Sequence, residues 1–250
     1  MTRPPEPTDD VDVLVVGGGP AGLMAAVFTA RAGLETLVAD PGGSILRRNA
    51  HLENFPGFPV GVDARLLLSL VGEQAERAGA TRRAAEITRL ARDGDGFLAE
   101  TGAGEAIRSR YAVCATKNAV GYLEGLDGVT LVDQGKTFVE TDHRGRTGVP
   151  GLYAAGRLAG KPHQAVVAAG SGAETAVTLL EDADLPFYHD WVTPERYFTG
   201  RDRDVPPGCE EIDGAEREAR VAASMETMRG RFSSTHPGAP EQHPSVAERD

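Results

Sequence analysis

The sequence predicts an α/β fold in which a central parallel sheet carries a small antiparallel meander and is followed by a C-terminal extension. Three observations predict it. A strand-turn-helix-turn-strand pattern fills residues 11–40, the size of one Rossmann-like βαβ unit. Short apolar runs at 111–115 and 151–154 have the composition of strands buried on both faces. Between them, alternating segments are broken by Asp-Gly and Ala-Gly pairs, which is hairpin chemistry.

Taken in order, residues 1–10 (MTRPPEPTDD) are proline-rich and acidic and read as a disordered lead-in. Val11–Val16 is a strand ended at once by glycines, and 20–32 is a helix of small and apolar residues stopped by Gly33. Residues 35–40 form the second strand, and 41–62 a loop rich in Gly, Pro and Asn. Asp63 caps a helix reaching about Ala78, with Leu66, Leu67, Leu70 and Val71 along one stripe. Residues 82–90, 96–101 and 105–108 are the meander, 111–115 a strand, and 129–132 and 137–140 two shorter strands. Residues 151–154 are buried strand and 162–181 a long Ala- and Val-rich helix. Beyond 182 the character changes. Residues 185–212 read as an aromatic loop and 214–232 as an amphipathic helix with Val221, Met225, Met228 and Phe232 on one face. The organisation expected is a lead-in over 1–10, a nucleotide domain over 11–184, an extension over 185–232 and a disordered tail over 233–250.

Composition narrows the function. A net charge of −11 argues against a nucleic-acid surface, which needs clustered Lys and Arg to neutralise phosphates. No signal-peptide-like segment and no apolar run of membrane-spanning length is present, so a cytoplasmic chain without a membrane span is the default. The 2 cysteines, Cys114 and Cys209, form no CxxC and no disulfide framework. Cys114 lies in an apolar strand and reads as an inert buried thiol. No histidine spacing suits a metal.

Gly17, Gly19 and Gly22 make a GxGxxG pattern, which is cheap by itself in a chain with 31 glycines. Its context gives it weight, because it follows a strand and opens a helix at Pro20 and Ala21. Gly17 allows the turn, Gly19 lets a pyrophosphate approach the backbone, and Gly22 lets helix and strand pack closely. The helix N-terminus offers unpaired N–H groups and positive dipole to phosphate. Asp40, at the end of the second strand, is placed to bind ribose hydroxyls. These features leave FAD and NAD equally open.

Val13 to Ala26 (VLVVGGGPAGLMAA), Gly42-Gly43 and Glu53-Asn54-Phe55-Pro56-Gly57 resemble the opening of a thioredoxin reductase. Val149 to Gly156 (VPGLYAAG) resembles that family's closing strand. His163-Gln164-Ala165 with Ala169-Gly170-Ser171-Gly172 resembles its closing helix. The resemblance covers roughly 11–117 and 135–181. It implies FAD, with Asn54 contacting the flavin and Gly156, Arg157, His163, Gln164 and Ala165 completing the site. A helix N-terminus at 162–165, with Pro162 in its first position and the N–H groups of His163, Gln164 and Ala165 outward, would stabilise charge on a reduced flavin.

The sequence also departs from that family. Its members interrupt the FAD domain with an NADPH domain, usually bearing CxxC; here barely thirty residues separate Thr116 from the closing motif. The family's ATG reads Ala115-Thr116-Lys117 and its AAGD reads Ala154-Ala155-Gly156-Arg157. Arg157 cannot accept a hydrogen bond where the aspartate does; it either pairs with the pyrophosphate or turns outward. His163, His51 and Lys117 are the candidate catalytic residues.

The leading expectation is a single-domain FAD-dependent oxidoreductase exchanging electrons between an external donor, NAD(P)H included, and a redox partner protein or small molecule. Its rivals are a flavoprotein without turnover that recruits a partner through the 214–232 helix, and a single-domain NAD(P) dehydrogenase. The aromatic stretch 187–198 suits a lid, a membrane-facing patch or a homodimer contact, with packing on the chain's own core the plainer role.

Overall fold

The computed structural model describes residues 7–186 and 189–247. β1 (Asp9–Val16), α1 (Pro20–Arg31) and β2 (Thr36–Ala39) form the βαβ unit, with β1 and β2 parallel and Val13 opposite Thr36. β1 starts inside the expected lead-in, because Asp9 and Asp10 pair with Ile107 and Arg108. Arg83 also donates two hydrogen bonds to the Asp9 carboxylate, at 2.6 and 2.7 Å. Such ends are anchored by tertiary partners, so no apolar pattern marks them; residues 1–6 of the lead-in lie outside the described residues.

After α2 (Ala64–Arg77) come β3 (Thr81–Arg83), β4 (Ile87–Asp93), β5 (Gly96–Thr101) and β6 (Ala106–Cys114). The hairpin β7 (Leu131–Asp133) and β8 (Thr137–Val139) follows, then β9 (Leu152–Ala154) and α3 (Ala165–Asp182). The main sheet runs β3-β2-β1-β6-β5-β4, with β9 also paired to β6. Strands β3, β2, β1, β6 and β9 are mutually parallel, while β4 and β5 add antiparallel to β6.

Two sequence expectations are corrected here. Residues 82–90, read as one meander strand, divide between β3, which extends the parallel sheet beside β2, and β4. Segments 105–108 and 111–115, read as two strands, are the single strand β6. Its first half faces antiparallel β5, with Ser109 opposite Phe97, and its second half faces parallel β9, with Ala112 opposite Leu152. The polar Ser109-Arg110 pair at this change of neighbour looks like a break in sequence, yet β1 pairs with β6 in one register on both sides of Arg110, Val11 opposite Ser109 and Val13 opposite Tyr111.

Leu14 and Val16 of β1 bury themselves with Ile87, Leu90 and Phe97 of the meander side. The opposite face carries helices: Thr36 of β2 donates to Thr29 Oγ1 of α1 at 2.9 Å. α3 crosses α1 at Gly172, where a Cβ would come within 1.9 Å of the Ala21 carbonyl oxygen. Glycine is the only residue that fits this crossing.

By its internal contacts the chain divides into one unit running to Ala183 and including the segment from Pro240, and a second over Asp184–Ala239. In the first unit, the Glu241 N–H donates to the Arg47 carbonyl at 3.1 Å, and α5 (Pro244–Ala247) follows. The second unit contains β10 (Trp191–Pro194) and β11 (Cys209–Ile212), paired in parallel, and α4 (Gly214–Arg231). Residues 185–212, read as loop, thus hold two strands. Trp191, Tyr197 and Phe198 pack edge to face around them. The Glu211 carboxylate, which burial works to raise, accepts hydrogen bonds from Thr199, Phe198 and Arg196 that hold it down at about 2. Phe187 and Tyr188 of the aromatic stretch lie outside the described residues.

Candidate cofactor site

A cavity of about 700 Å³ opens beyond the C-terminal ends of β1, β2 and β6, where a doubly wound sheet places its ligand. Its floor is the turn after β1. Gly17 has φ +108°, and a Cβ there would lie 2.8 Å from the Ala115 carbonyl oxygen. Gly18 stands against Asp40: a Cβ would meet the carboxylate at 2.2 Å. Gly19 differs, because a Cβ added there would meet only Ser44 Oγ, at 3.6 Å. That direction opens into the cavity. The turn is therefore a cradle whose free space lies over the backbone at the mouth of α1, as a pyrophosphate requires.

The remaining wall joins residues far apart in sequence. Asn54 Nδ2 donates to Gln164 Oε1 at 2.9 Å, tying the 41–62 loop to the start of α3. Pro20, Ala21, His163 and Ala165 line the same cavity, as do His51, Lys117 and Arg157. His51 Nδ1 lies 2.6 Å from Glu53 Oε1. Gly22 and Gly156 stand behind the wall and act by packing. A Cβ on Gly22 would lie 1.9 Å from the Gly17 carbonyl oxygen, and one on Gly156 2.8 Å from Ala21 Cβ. Gly156 N–H donates to Ser171 Oγ at 3.0 Å.

α3 begins at Ala165, not at Pro162, which corrects the sequence reading. The Gln164 N–H is spent on the Pro162 carbonyl at 2.8 Å, so the dipeptide before the helix is a tight turn. Ala168 makes the first helical bond, to the Gln164 carbonyl at 2.9 Å. The N–H groups without a helical acceptor are consequently those of Ala165, Val166 and Val167.

Charge is uneven around the cavity. Arg157 Nε donates to Asn118 Oδ1 at 3.1 Å. Desolvation, then Lys136, Arg48 and Arg157, push the Lys117 ammonium below the ordinary lysine range. Desolvation, then Arg157, Lys117 and Lys136, likewise lower His163, which favours its neutral imidazole. Cys114 is buried, and burial pushes its thiol up to about 12. Sequence reasoning missed Ser44, Glu86, Ile87, Asn118 and Tyr122; all but Asn118 line the cavity, and none sits in a recognisable pattern.

A family model described as an FAD binding domain matches residues 12–46. The chain is 34% identical over 115 residues to a bifunctional thioredoxin reductase/thioredoxin of Mycobacterium leprae, covering 45% of this chain and 25% of that protein. It is 35% identical over 112 residues to a thioredoxin reductase of Streptomyces clavuligerus, covering 44% and 35%. The structure of a thioredoxin reductase from Gloeobacter violaceus superposes with a TM-score of 0.64 at 20% identity, over 70% of this chain and 95% of that one. The chain carries a thioredoxin reductase-like FAD domain.

The thioredoxin reductase-like chain spans only about a quarter to a third of the length of those two curated relatives. Between β6 and β9, where that family inserts a second nucleotide domain, the strands described here are β7 and β8 alone. The residues present fit FAD: the open space over Gly19 would take the pyrophosphate, and Asn54, Gln164 and Ala165 bound the far part of the cavity. Among the described residues there is no metal-ligating cluster of His, Cys, Asp or Glu, and no helix long and apolar enough to cross a membrane.

Proposed function

We propose that this chain is a single-domain FAD-dependent oxidoreductase, exchanging electrons with an external donor and a redox partner protein or small molecule. The observation that carries the reading is the Asn54–Gln164 hydrogen bond, which closes both family segments around one cavity above the open backbone of Gly19. Bound there, FAD supplies the hydride and electron chemistry. Gly17, Gly19, Pro20 and Ala21 hold its phosphates and Asp40 a ribose; Asn54, Arg157, His163, Gln164 and Ala165 surround the remainder. The N–H groups at the start of α3 favour negative charge in the cavity. His163, whose neutral imidazole is favoured by desolvation and the nearby cations, accepts or returns a proton at the cavity edge; His51, hydrogen-bonded to Glu53, is the second candidate in the same lining.

The test is what co-purifies with the protein and whether it turns over. A yellow protein that releases FAD on denaturation, and that reduces artificial acceptors catalytically, is the expected result. A colourless protein that cannot be reconstituted with FAD overturns the reading. A second reading, a flavoprotein that recruits a partner without turnover, is favoured by α4, whose Val221, Met225 and Met228 are exposed on one face. Bound FAD with no steady-state turnover would support it.

A further inference from the structure

We propose that Lys117, Lys136 and Arg157 form an oxyanion subsite at the rim of the cavity, taking the phosphate or carboxylate of the molecule that exchanges electrons there. The proposal deepens the FAD reading and rests on it. Lys117 and Arg157 line the cavity beside His163. Lys136 stands exposed in the turn between β7 and β8.

One side chain assembles the three. Asn118 Oδ1 accepts from Arg157 Nε at 3.1 Å, while its Nδ2 donates to the Thr137 carbonyl at 3.1 Å. The neighbour of Lys117 thus grips both Arg157 and the residue next to Lys136. The turn carrying Lys117 is closed in its own right by Thr116 Oγ1, which donates to the Ala119 carbonyl at 2.6 Å, and by the Ala119 N–H, which donates to the Thr116 carbonyl at 3.1 Å. Lys117 holds the left-handed backbone that this turn imposes, with φ +65°. The backbone that carries the two lysines is therefore held by loop structure, and Arg157 is held by Asn118.

None of the three is locked to a carboxylate. Elsewhere arginines find carboxylates, as Arg83 does with Asp9 and Arg146 with Asp182. Among the described residues, Lys117, Lys136 and Arg157 make no ion pair, and the charged groups acting on Lys117 are Lys136, Arg48 and Arg157. In a chain of net charge −11, gathering like charges at a cavity rim is costly unless an anion arrives to relieve the repulsion. The FAD pyrophosphate already has the glycine turn and the α1 N-terminus. The hairpin bearing Lys136 contributes nothing to the lining of that cavity. An anion that enters from solvent is the ligand this rim fits.

Calorimetry on flavin-loaded protein at low ionic strength tests this, with inorganic pyrophosphate as the phosphate probe and citrate as the carboxylate probe. Saturable binding of either is expected, identifying which oxyanion class is preferred. The Lys136→Glu variant should bind it at least tenfold more weakly while keeping its FAD content and melting temperature. Absence of saturable binding by both anions, or unchanged binding in Lys136→Glu, overturns the subsite. Loss of FAD from Lys136→Glu also overturns it, because the cations would then serve the cofactor's own phosphates. A protein that cannot be loaded with FAD defeats the underlying reading, and the subsite with it.

Discussion

Gly19 and Gly172 show how differently two glycines can matter. Gly19 has φ −81° and open space beyond its Cα, so valine there strains no backbone and strikes only Ser44. Gly19→Val should change unfolding free energy by no more than about 0.5 kcal/mol yet abolish FAD binding, because the side chain fills the cradle. Urea unfolding and flavin content of the same sample check both halves; retained flavin would make the motif a mere turn. Gly172 has no such space, and Gly172→Ala should cost about 1–3 kcal/mol or more by overpacking against α1. Cys114 belongs at this scale too. Buried, with its thiol pushed up to about 12, it should resist disulfide reagents in the native protein at pH 8 and react on unfolding. Rapid native-state labelling at Cys114 would revive a thiol role.

At the scale of elements, α2 does more than cover the sheet. Asp63 caps it by accepting the N–H groups of Arg65 and Leu66 at 2.9 and 3.1 Å, and its other oxygen pairs with the Arg65 guanidinium. Arg65 is only 7% exposed and also donates to the Asn49 carbonyl at 3.3 Å, in the loop bordering the cavity. Removing Asp63 therefore deletes a cap, worth about 0.5–2 kcal/mol, and strands a buried cation, which costs about 3–5 kcal/mol when a buried partner is lost outright. Asp63→Ala should destabilise the protein by at least about 2 kcal/mol and weaken FAD binding through the loosened loop. Asp63→Asn, which keeps the cap but not the charge, should fall between. Asp63→Asn as stable in urea as the unaltered protein would show that the ion pair contributes nothing, and equal stability of the two variants would show the same of the cap.

For the whole molecule, the carboxylates set the acid limit. Hydrogen bonds from Arg83 hold Asp9 below the ordinary aspartate range, and those from Arg146 do the same for Asp182. Burial opposes the shift at Asp63 and Asp142, but hydrogen bonds from Leu66, Arg65 and Arg146 outweigh it. A depressed folded pKa means the stabilisation is complete above the unfolded value, about 4, and is lost as pH falls through the lower folded values. Melting temperature should hold from pH 7 to about 4.5 and drop steeply towards pH 3. A flat profile would show these pairs to be inconsequential. The lack of a second nucleotide domain between β6 and β9 has its own consequence. NADPH should bleach the flavin slowly compared with dithionite, since holding a hydride donor in place is worth roughly 7–11 kcal/mol. Fast anaerobic bleaching by NADPH would mean that another part of the protein positions it.

The sequence by itself determined the βαβ unit, the glycine turn, Asp40, the Asp63 cap and the two family segments. Each is written in local chemistry: a buried strand is apolar, a phosphate turn needs glycine, and a helix start needs an acceptor. Tertiary structure alone decided how β6 serves two neighbours, because pairing depends on strands distant in the chain. It also decided where α3 starts, since Pro162 is competent for a first helical position but its carbonyl is taken by Gln164. The convergence of Lys117, Lys136 and Arg157 through Asn118 is of the same kind. Three cations separated by up to forty positions carry no periodicity, and only the folded backbone makes them neighbours.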